Sequence, residues 1–160
     1  MWEPQSSKTT LAVKDPTGDL QIDLGPLEDD ANIIVIGGGK MLRGTLKDIR
    51  EALPGMVQII FYCHGKWDAR DPTNNGLVLA DGILTLHDIR EMNLSAAETV
   101  IIAACASGLI EPNRTPDEFL GLPSSFLEAG AQSVVASIWP AMDSASRELI
   151  VSMQVWRGRE

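Results

Sequence analysis

Two apolar runs, each followed at once by a reactive side chain, decide the fold class of this chain. The first is Val57-Gln-Ile-Ile-Phe-Tyr-Cys63, which leads directly into His64-Gly65. The second is Thr99-Val-Ile-Ile-Ala-Ala104, which leads directly into Cys105. Both runs are rich in β-branched or aromatic residues and lack a polar alternation, which is typical of strands that are buried on both faces. They predict a parallel sheet.

Outward from these runs, strands alternate with helices. Further strands are predicted at Asn32–Gly37, Leu77–Ala80 and Ser133–Ile138, and helices at Leu42–Leu53, Thr85–Met92, Asp117–Ala129 and Asp143–Trp156. Thr85 and Asp88 have the spacing of a capping box, and Asp143 is a good N-cap for the last helix. This alternation predicts an α/β fold whose mostly parallel sheet carries helices on both faces.

Residues 1–30 differ from the rest of the chain, because they contain three prolines, a polar run and an acidic cluster. We expect a loosely ordered lead-in here, with one short strand at Leu11–Val13 or at Leu20–Leu24. The main domain is then expected to span residues 31–160.

Composition sets further bounds. The 160 residues fit one domain, and 44% apolar with 22% charged residues is typical of a globular chain. A net charge of −9 argues against binding to a nucleic-acid backbone. No apolar run is long enough to cross a membrane, and the start of the chain lacks the features of a signal peptide. We therefore expect a cytoplasmic protein with reduced thiols.

Cys105 and His64 are the candidate catalytic residues, since the carboxyl ends of parallel strands meet at one edge of a sheet. A thiol attacks a carbonyl only as the thiolate, and a neighbouring imidazole can accept its proton. The backbone amides of Gly65 and Cys105 are candidates for an oxyanion hole. Cys63 precedes His64 in the strand and should face the opposite side, in the core. His87 lies away from any strand end and is expected on the surface.

The run Gly37-Gly-Gly-Lys40 follows a strand and precedes a helix, as a phosphate-binding loop does. It lacks the first glycine and the hydroxyl residue of a P-loop, and it lacks the third glycine of a dinucleotide-binding motif. We interpret it as a tight turn, with nucleotide or anion binding as a weaker hypothesis.

Five segments together resemble the CHAT domain, a caspase-like domain that is associated with tetratricopeptide repeats and related to caspases and separases. They are Ile59–Gly65, Asn75–Gly82, Leu84–Ile89, Ala103–Gly108 and Ala129–Pro140. The resemblance implies a caspase-like three-layer α/β sandwich and a His–Cys dyad of a cysteine endopeptidase. His64 falls on the family histidine and Cys105 on the family cysteine, and no metal or cofactor is implied.

The chain departs from the family pattern at two places. The family cysteine is commonly followed by Glu-Thr, whereas Ala106-Ser107 follows Cys105 here. Family members usually continue beyond the last helix, so the chain could be a fragment, a split domain or a trimmed member, whose fold a partner chain or a repeat domain could complete. These departures leave a second hypothesis open, namely a catalytically inactive or regulatory module that acts in protein–protein interaction.

The substrate is expected to be a protein or peptide. Carboxylates near the presumed sheet edge, Asp68 and Asp143, favour cleavage after a basic residue through a charge-assisted pair. Asp71 is a further candidate acid, and Trp67 and Trp139 are candidate pocket walls. Asp143 is at least as well explained as a helix cap, and Asp68 as a solvated loop residue.

Overall fold

The described part of the computed structural model contains twelve short elements: eight β-strands in two sheets, three α-helices and one 3-10 turn. The structure describes residues 10–20, 33–37, 44–68, 70–104 and 121–136, together with positions 148 and 152. In chain order the elements are β1 (Thr10–Lys14), β2 (Ile33–Gly37), α1 (Leu46–Ala52), β3 (Gln58–Tyr62), β4 (Gly65–Lys66), a 3-10 turn (Pro72–Asn74), β5 (Gly76–Val78), β6 (Ile83–Thr85), α2 (Leu86–Arg90), β7 (Thr99–Ala103), α3 (Leu122–Glu128) and β8 (Val134–Ala136).

The larger sheet is parallel throughout, with strand order β2-β1-β3-β7-β8. From β1 the chain steps outward to β2, and it then crosses back to β3 and continues to β7 and β8. The direction of winding therefore reverses beside β1. In open parallel sheets, ligands bind outside the carboxyl ends of the strands at such a reversal. The topology thus marks the carboxyl ends of β1 and β3 as the place to search for a site.

All three helices pack on the same face of the larger sheet. Each lies in a connection that runs in the same direction, from β2 to β3, from β3 to β7 and from β7 to β8. Because such crossovers are right-handed, helices in connections of one direction share one face. One apolar residue from each helix illustrates the contact: Ile49, Ile89 and Phe126 belong to a single core cluster with this face.

Alternate residues of the strands form that core face. Leu11, Ile59 and Val100 lie side by side in register, and one pleat further on Phe61 pairs with Ile102. All of them are buried in the core cluster. The rings of Phe61 and Phe126 are 5.6 Å apart between centroids, which fixes α3 on the sheet. Burying one such large apolar side chain contributes roughly 1.5–3 kcal/mol.

The opposite face of the sheet is also buried. It carries Ala12, Ile60, Tyr62 and Ile101, each at most 3% exposed. These residues alternate with the core-face residues and lie outside the core cluster. Both faces of the parallel sheet are therefore buried, and the predicted α/β class with a mostly parallel sheet is confirmed. The described helices cover one face, so helices on the other face stay a prediction.

The smaller sheet is antiparallel, with order β4-β5-β6. It follows β3 directly, and Leu77 and Leu84 anchor it in the core cluster. The sequence predicted only its middle strand, at Leu77–Ala80. The strands β4 and β6 have two and three residues, which is too short to show a periodicity.

The predicted lead-in at residues 1–30 needs correction for residues 10–20. Thr10–Lys14 is not loosely ordered, because it is paired on both sides, with β2 and with β3. Of the two strand positions considered, Leu11–Val13 is confirmed, and residues 21–24 lie outside the described residues. The segment was misjudged because its apolar run is only three residues long.

Helix boundaries follow local capping. The helix predicted from Leu42 begins instead at Leu46, because Thr45 caps it and Gly44 has a positive φ of 71°. Thr85 and Asp88 form the predicted capping box of α2. Gly130, with φ 109°, ends α3 as predicted. Residues 117–120 and nearly all of the helix predicted at 143–156 lie outside the described residues.

None of the helices in the described ranges is long and apolar enough to span a bilayer.

The close approach of β5 and β6 yields a stability prediction. A Cβ atom at Gly76 would lie 2.0 Å from the backbone oxygen of Leu84, whereas one at Gly82 would meet only the flexible end of Leu46 at 3.0 Å. We expect Gly76→Ala to lower the free energy of unfolding by at least about 2 kcal/mol and Gly82→Ala by less than about 1 kcal/mol. Urea denaturation of both variants measures this. Equal unfolding midpoints for the two variants would show that the β5–β6 contact is not tight.

Candidate active site

In the chain, His64 is the second residue after β3 and directly precedes β4, so it links the two sheets. Its backbone oxygen accepts a hydrogen bond of 2.8 Å from the amide of Val78, which ties it to β5. Its side chain is 38% exposed, so the backbone is held in the structure while the imidazole is partly open to solvent. A partly exposed imidazole on a rigid backbone is suited to proton transfer.

The imidazole contacts a carboxylate that sequence reasoning did not single out. His64 Nε2 lies 3.0 Å from Oδ1 and 3.1 Å from Oδ2 of Asp19. A carboxylate can only accept hydrogen bonds, so the neutral ring carries its proton on Nε2 in this contact. The lone pair of Nδ1 is then available as a base. Among the residues that the structure describes, none hydrogen-bonds to Nδ1.

Asp19 is presented by a turn that follows β1. Asp15 stands at the start of this turn with φ 40°, a left-handed conformation that Asp tolerates better than most residues. Its carboxylate accepts hydrogen bonds from the amides of Gly18 (2.9 Å) and Asp19 (3.1 Å). The Thr17 hydroxyl donates to the carboxylate of Asp19. These hydrogen bonds fix the backbone position of Asp19 and the orientation of its side chain.

Strand pairing explains why Asp19 reaches His64. Lys14 pairs with Tyr62 at the carboxyl ends of β1 and β3, and the amide of Asp15 donates to the oxygen of Tyr62 at 2.8 Å. The turn after β1 and the residue after β3 therefore leave the sheet side by side. They do so at the point where the direction of winding reverses.

Hydrogen bonds lower the pKa of Asp19 below its ordinary value. The largest cause is the hydrogen bond from the Thr17 hydroxyl, followed by the one from His64. Asp19 is therefore a carboxylate at neutral pH. It places a negative charge beside Nε2 of the imidazole.

Cys105 lies outside the described residues, so its distance from His64 stays a prediction. The described strand that leads to it is β7. Its last residue, Ala103, pairs with Tyr62 of β3. In the sequence, His64 follows Tyr62 by two residues, and Cys105 follows Ala103 by two.

Gly65 keeps its amide free of the neighbouring strand. Gly65 is opposite Leu77, and the amide of Val78 donates to His64, the residue before Gly65. This pattern makes Gly65 and Leu77 a non-hydrogen-bonded antiparallel pair, whose amides point away from each other's strand. The Gly65 amide is thus directed away from β5, as an oxyanion-hole donor must be.

A family model described as the CHAT domain matches residues 5–154. The chain belongs to the CHAT domain family. The mostly parallel sheet with its helices agrees with the caspase-like fold that the motifs implied. The match begins before β1, which agrees with the place of that strand in the sheet. A search of curated proteins found no match to this chain.

The other thiol of this CHAT domain is buried in the core. Cys63 is 3% exposed, and burial raises its pKa to about 12, with a smaller contribution from the charge of Asp15. A thiol with this pKa is not a nucleophile at neutral pH. The prediction that Cys63 is a core residue is confirmed, and so is the exposed position of His87.

The candidate pocket residues are only partly described. Asp68 is exposed, its Oδ1 accepts from the amide of Arg70 at 2.8 Å, and its own amide donates to buried Asn75. These contacts are local to the loop after β4. Hydrogen bonds from Thr73 and Asn74 lower the pKa of exposed Asp71. Trp67 is half-buried, while Trp139, Asp143 and residues 38–40 lie outside the described residues.

Within the described ranges, no group of three or more His, Cys, Asp or Glu side chains is arranged to hold a metal ion.

Asp19 was missed because its position depends on β1. Asp15-Pro16-Thr17-Gly18-Asp19 has the composition of a turn, and Leu11-Ala12-Val13 before it is a short apolar run. A strand followed by an acidic turn was the available signal. The prolines and polar residues on either side of it obscure this signal.

The pKa of Cys63 yields a labelling prediction. In a Cys105→Ser variant, iodoacetamide at pH 8 should label folded Cys63 at least about 100-fold more slowly than the same chain in denaturant, because little thiolate forms until the pH approaches 12. Mass spectrometry at timed intervals measures the two rates. Similar rates would mean that Cys63 is accessible and that the core cluster is wrongly placed.

The turn after β1 yields a second stability prediction. Asp15→Ala removes the acceptor for two amides and should lower the free energy of unfolding by about 1–3 kcal/mol. Asp15→Asn keeps an acceptor oxygen and tolerates positive φ, so it should cost less than about 1 kcal/mol. Urea denaturation distinguishes the two. Wild-type stability for Asp15→Ala would show that these hydrogen bonds do not hold the turn.

Proposed function

We propose that this CHAT domain is a cysteine endopeptidase in which Cys105 is the nucleophile and His64 the acid–base residue. The observation that carries the proposal is the position of His64. Its ring stands at the carboxyl end of β3, where the winding of the sheet reverses, with Nε2 held by a carboxylate and Nδ1 left as the base.

The register of the sheet supports the pairing of the two residues. Tyr62 and Ala103 are partners on the face opposite the core, and alternation along a strand returns to that face two residues later. His64 and Cys105 each stand two residues further on. Cys63, the residue between Tyr62 and His64, lies on the core face.

The reaction proceeds in two stages. His64 Nδ1 accepts the proton of the Cys105 thiol, and the thiolate attacks the scissile carbonyl carbon. The C–N bond breaks as the imidazolium returns the proton to the leaving amine, which leaves a thioester on Cys105. Water, deprotonated by His64, then attacks the thioester, which releases the carboxylic acid and regenerates the thiol.

Two backbone amides would stabilise the oxyanion of this reaction. The Gly65 amide is directed away from β5, and the Cys105 amide lies at the nucleophile itself. Gly65 has no side chain, so a substrate can approach its backbone closely. The two proposed oxyanion-hole amides therefore belong to the residue after His64 and to Cys105 itself.

The preferred substrate is a peptide with Arg or Lys at the cleavage site. The chain carries a net charge of −9, which attracts basic peptides over a long range. Asp68 and Asp143 are the acids proposed for the pocket, together with Trp139 as a wall. Of these acids, Asp68 is exposed and makes only local contacts. The proposed preference for Arg or Lys therefore rests mainly on the net charge of the chain.

A labelling experiment tests the proposal. The folded chain is treated with peptidyl chloromethyl ketones bearing Arg, Lys, Asp or Leu next to the reactive group, and the modified residues are identified by mass spectrometry. We expect selective modification of Cys105, fastest with Arg or Lys, and at least about a 100-fold loss of rate in His64→Ala, since general acid–base catalysis typically contributes that much.

Three controls accompany the labelling. Cys63 reports non-specific alkylation within the same molecule, and His87→Ala removes an exposed histidine outside the site. Cys105→Ala should abolish cleavage of an unstructured basic protein while circular dichroism stays unchanged. Cleavage by Cys105→Ala would disprove the assigned nucleophile. Equal, slow modification of both cysteines would favour the second hypothesis, a catalytically inactive module that acts in protein–protein interaction.

A further inference from the structure

We propose that Asp19 is a positioning residue of the site, which fixes the ring and the proton of His64 and so makes the arrangement a Cys–His–Asp triad. This inference rests on the proposed function. It adds a third residue, from a third strand end, to the His–Cys dyad that the sequence motifs implied.

The contact itself is the first observation. Both carboxylate oxygens of Asp19 lie within 3.1 Å of one ring nitrogen of His64. A carboxylate at Nε2 orients the ring and keeps the proton on that nitrogen. Nδ1 is then the basic nitrogen, as a proton acceptor for a thiol requires.

The rigid turn beneath Asp19 is the second observation. An incidental surface pair joins two flexible side chains and usually contributes little. Here Asp15 is buried, adopts a left-handed backbone conformation and binds the amides of Gly18 and Asp19. The turn also binds Tyr62 of β3 through the Asp15 amide. Asp19 is therefore placed by the same strand pairing that places His64.

The expected role follows from charge and geometry. When His64 accepts the thiol proton, the ring becomes positive and the adjacent carboxylate stabilises it. Asp19 also prevents the ring from rotating away from the thiol. The side chain of Asp19 is 63% exposed, so solvent screens part of the interaction. We therefore expect a moderate effect of Asp19 on rate, smaller than that of His64.

The experiment measures alkylation of Cys105 by iodoacetamide at pH 7 in the wild type, Asp19→Asn and Asp19→Ala. Both variants should react about three- to tenfold more slowly than the wild type, because an exposed charge pair contributes modestly. Glu51→Gln is the matched control for the loss of one negative charge. Glu51 is exposed and pairs only loosely with Lys47 at 3.9 Å, so this variant should react at the wild-type rate.

Nitrogen-15 NMR of the imidazole ring measures which nitrogen of His64 carries the proton. A purely structural role of Asp19 would leave this tautomer unchanged when Asp19 is replaced. In the wild type at a pH where the ring is neutral, Nε2 of His64 should carry the proton. The amide of Asp19→Asn can donate as well as accept, so the signals should show a mixture of both tautomers. Thermal unfolding followed by circular dichroism should be the same for all variants.

The outcomes separate this inference from the proposed function. If wild-type Cys105 reacts quickly and Asp19→Asn reacts equally quickly with an unchanged tautomer, Asp19 has no positioning role and the dyad stands. If wild-type Cys105 reacts no faster than an ordinary thiol, the peptidase proposal fails, and the triad fails with it. A slower Asp19→Asn with a mixed tautomer supports the triad.

Discussion

The parallel pairing of β1 with β3 is the interaction on which the rest of the structure depends. β1 lies between β2 and β3, so without it β2 would have no partner in the sheet. The same pairing makes the sheet wind outward in two directions, and open parallel sheets bind ligands at the strand ends beside such a reversal. A strand of five residues therefore fixes both the sheet and the position of the site.

The site is built from strand ends whose backbone is firmly held, and its side chains project into solvent. His64 is anchored through its oxygen to Val78, and Asp19 through its turn to Asp15. His64 Nε2 lies against the carboxylate of Asp19, and no described residue hydrogen-bonds to Nδ1. In the proposed mechanism, holding the ring through Nε2 leaves Nδ1 to transfer the proton.

Much of this could be predicted from the sequence, and the reason is the length of the apolar runs. β3 and β7 lie within apolar runs of six or seven residues, so each can be recognised as a strand that is buried on both faces. Cys63 was correctly placed in the core because it precedes His64 by one residue. Thr85 and Asp88 marked the start of α2 through a local capping pattern that needs no tertiary information.

The missed features depend on contacts between distant segments. β1 has only three apolar residues, and it becomes a strand through its pairing with β2 and β3. Asp19 lies 45 positions before His64 in the sequence, and the two side chains meet only through the pairing of β1 with β3. The antiparallel β4 and β6 are likewise stabilised by pairing with β5, because each is too short to form alone.

The central claim is that the strand register brings Cys105 to the free nitrogen of His64. A crystal structure of the chain with a peptidyl electrophile bound tests it most directly, through the distance between Cys105 Sγ and His64 Nδ1. We predict a separation of about 4 Å or less, with Asp19 still bound to Nε2, because proton transfer requires this proximity. A separation beyond about 8 Å, or Cys105 on the core face of the sheet beside Cys63, would contradict the account.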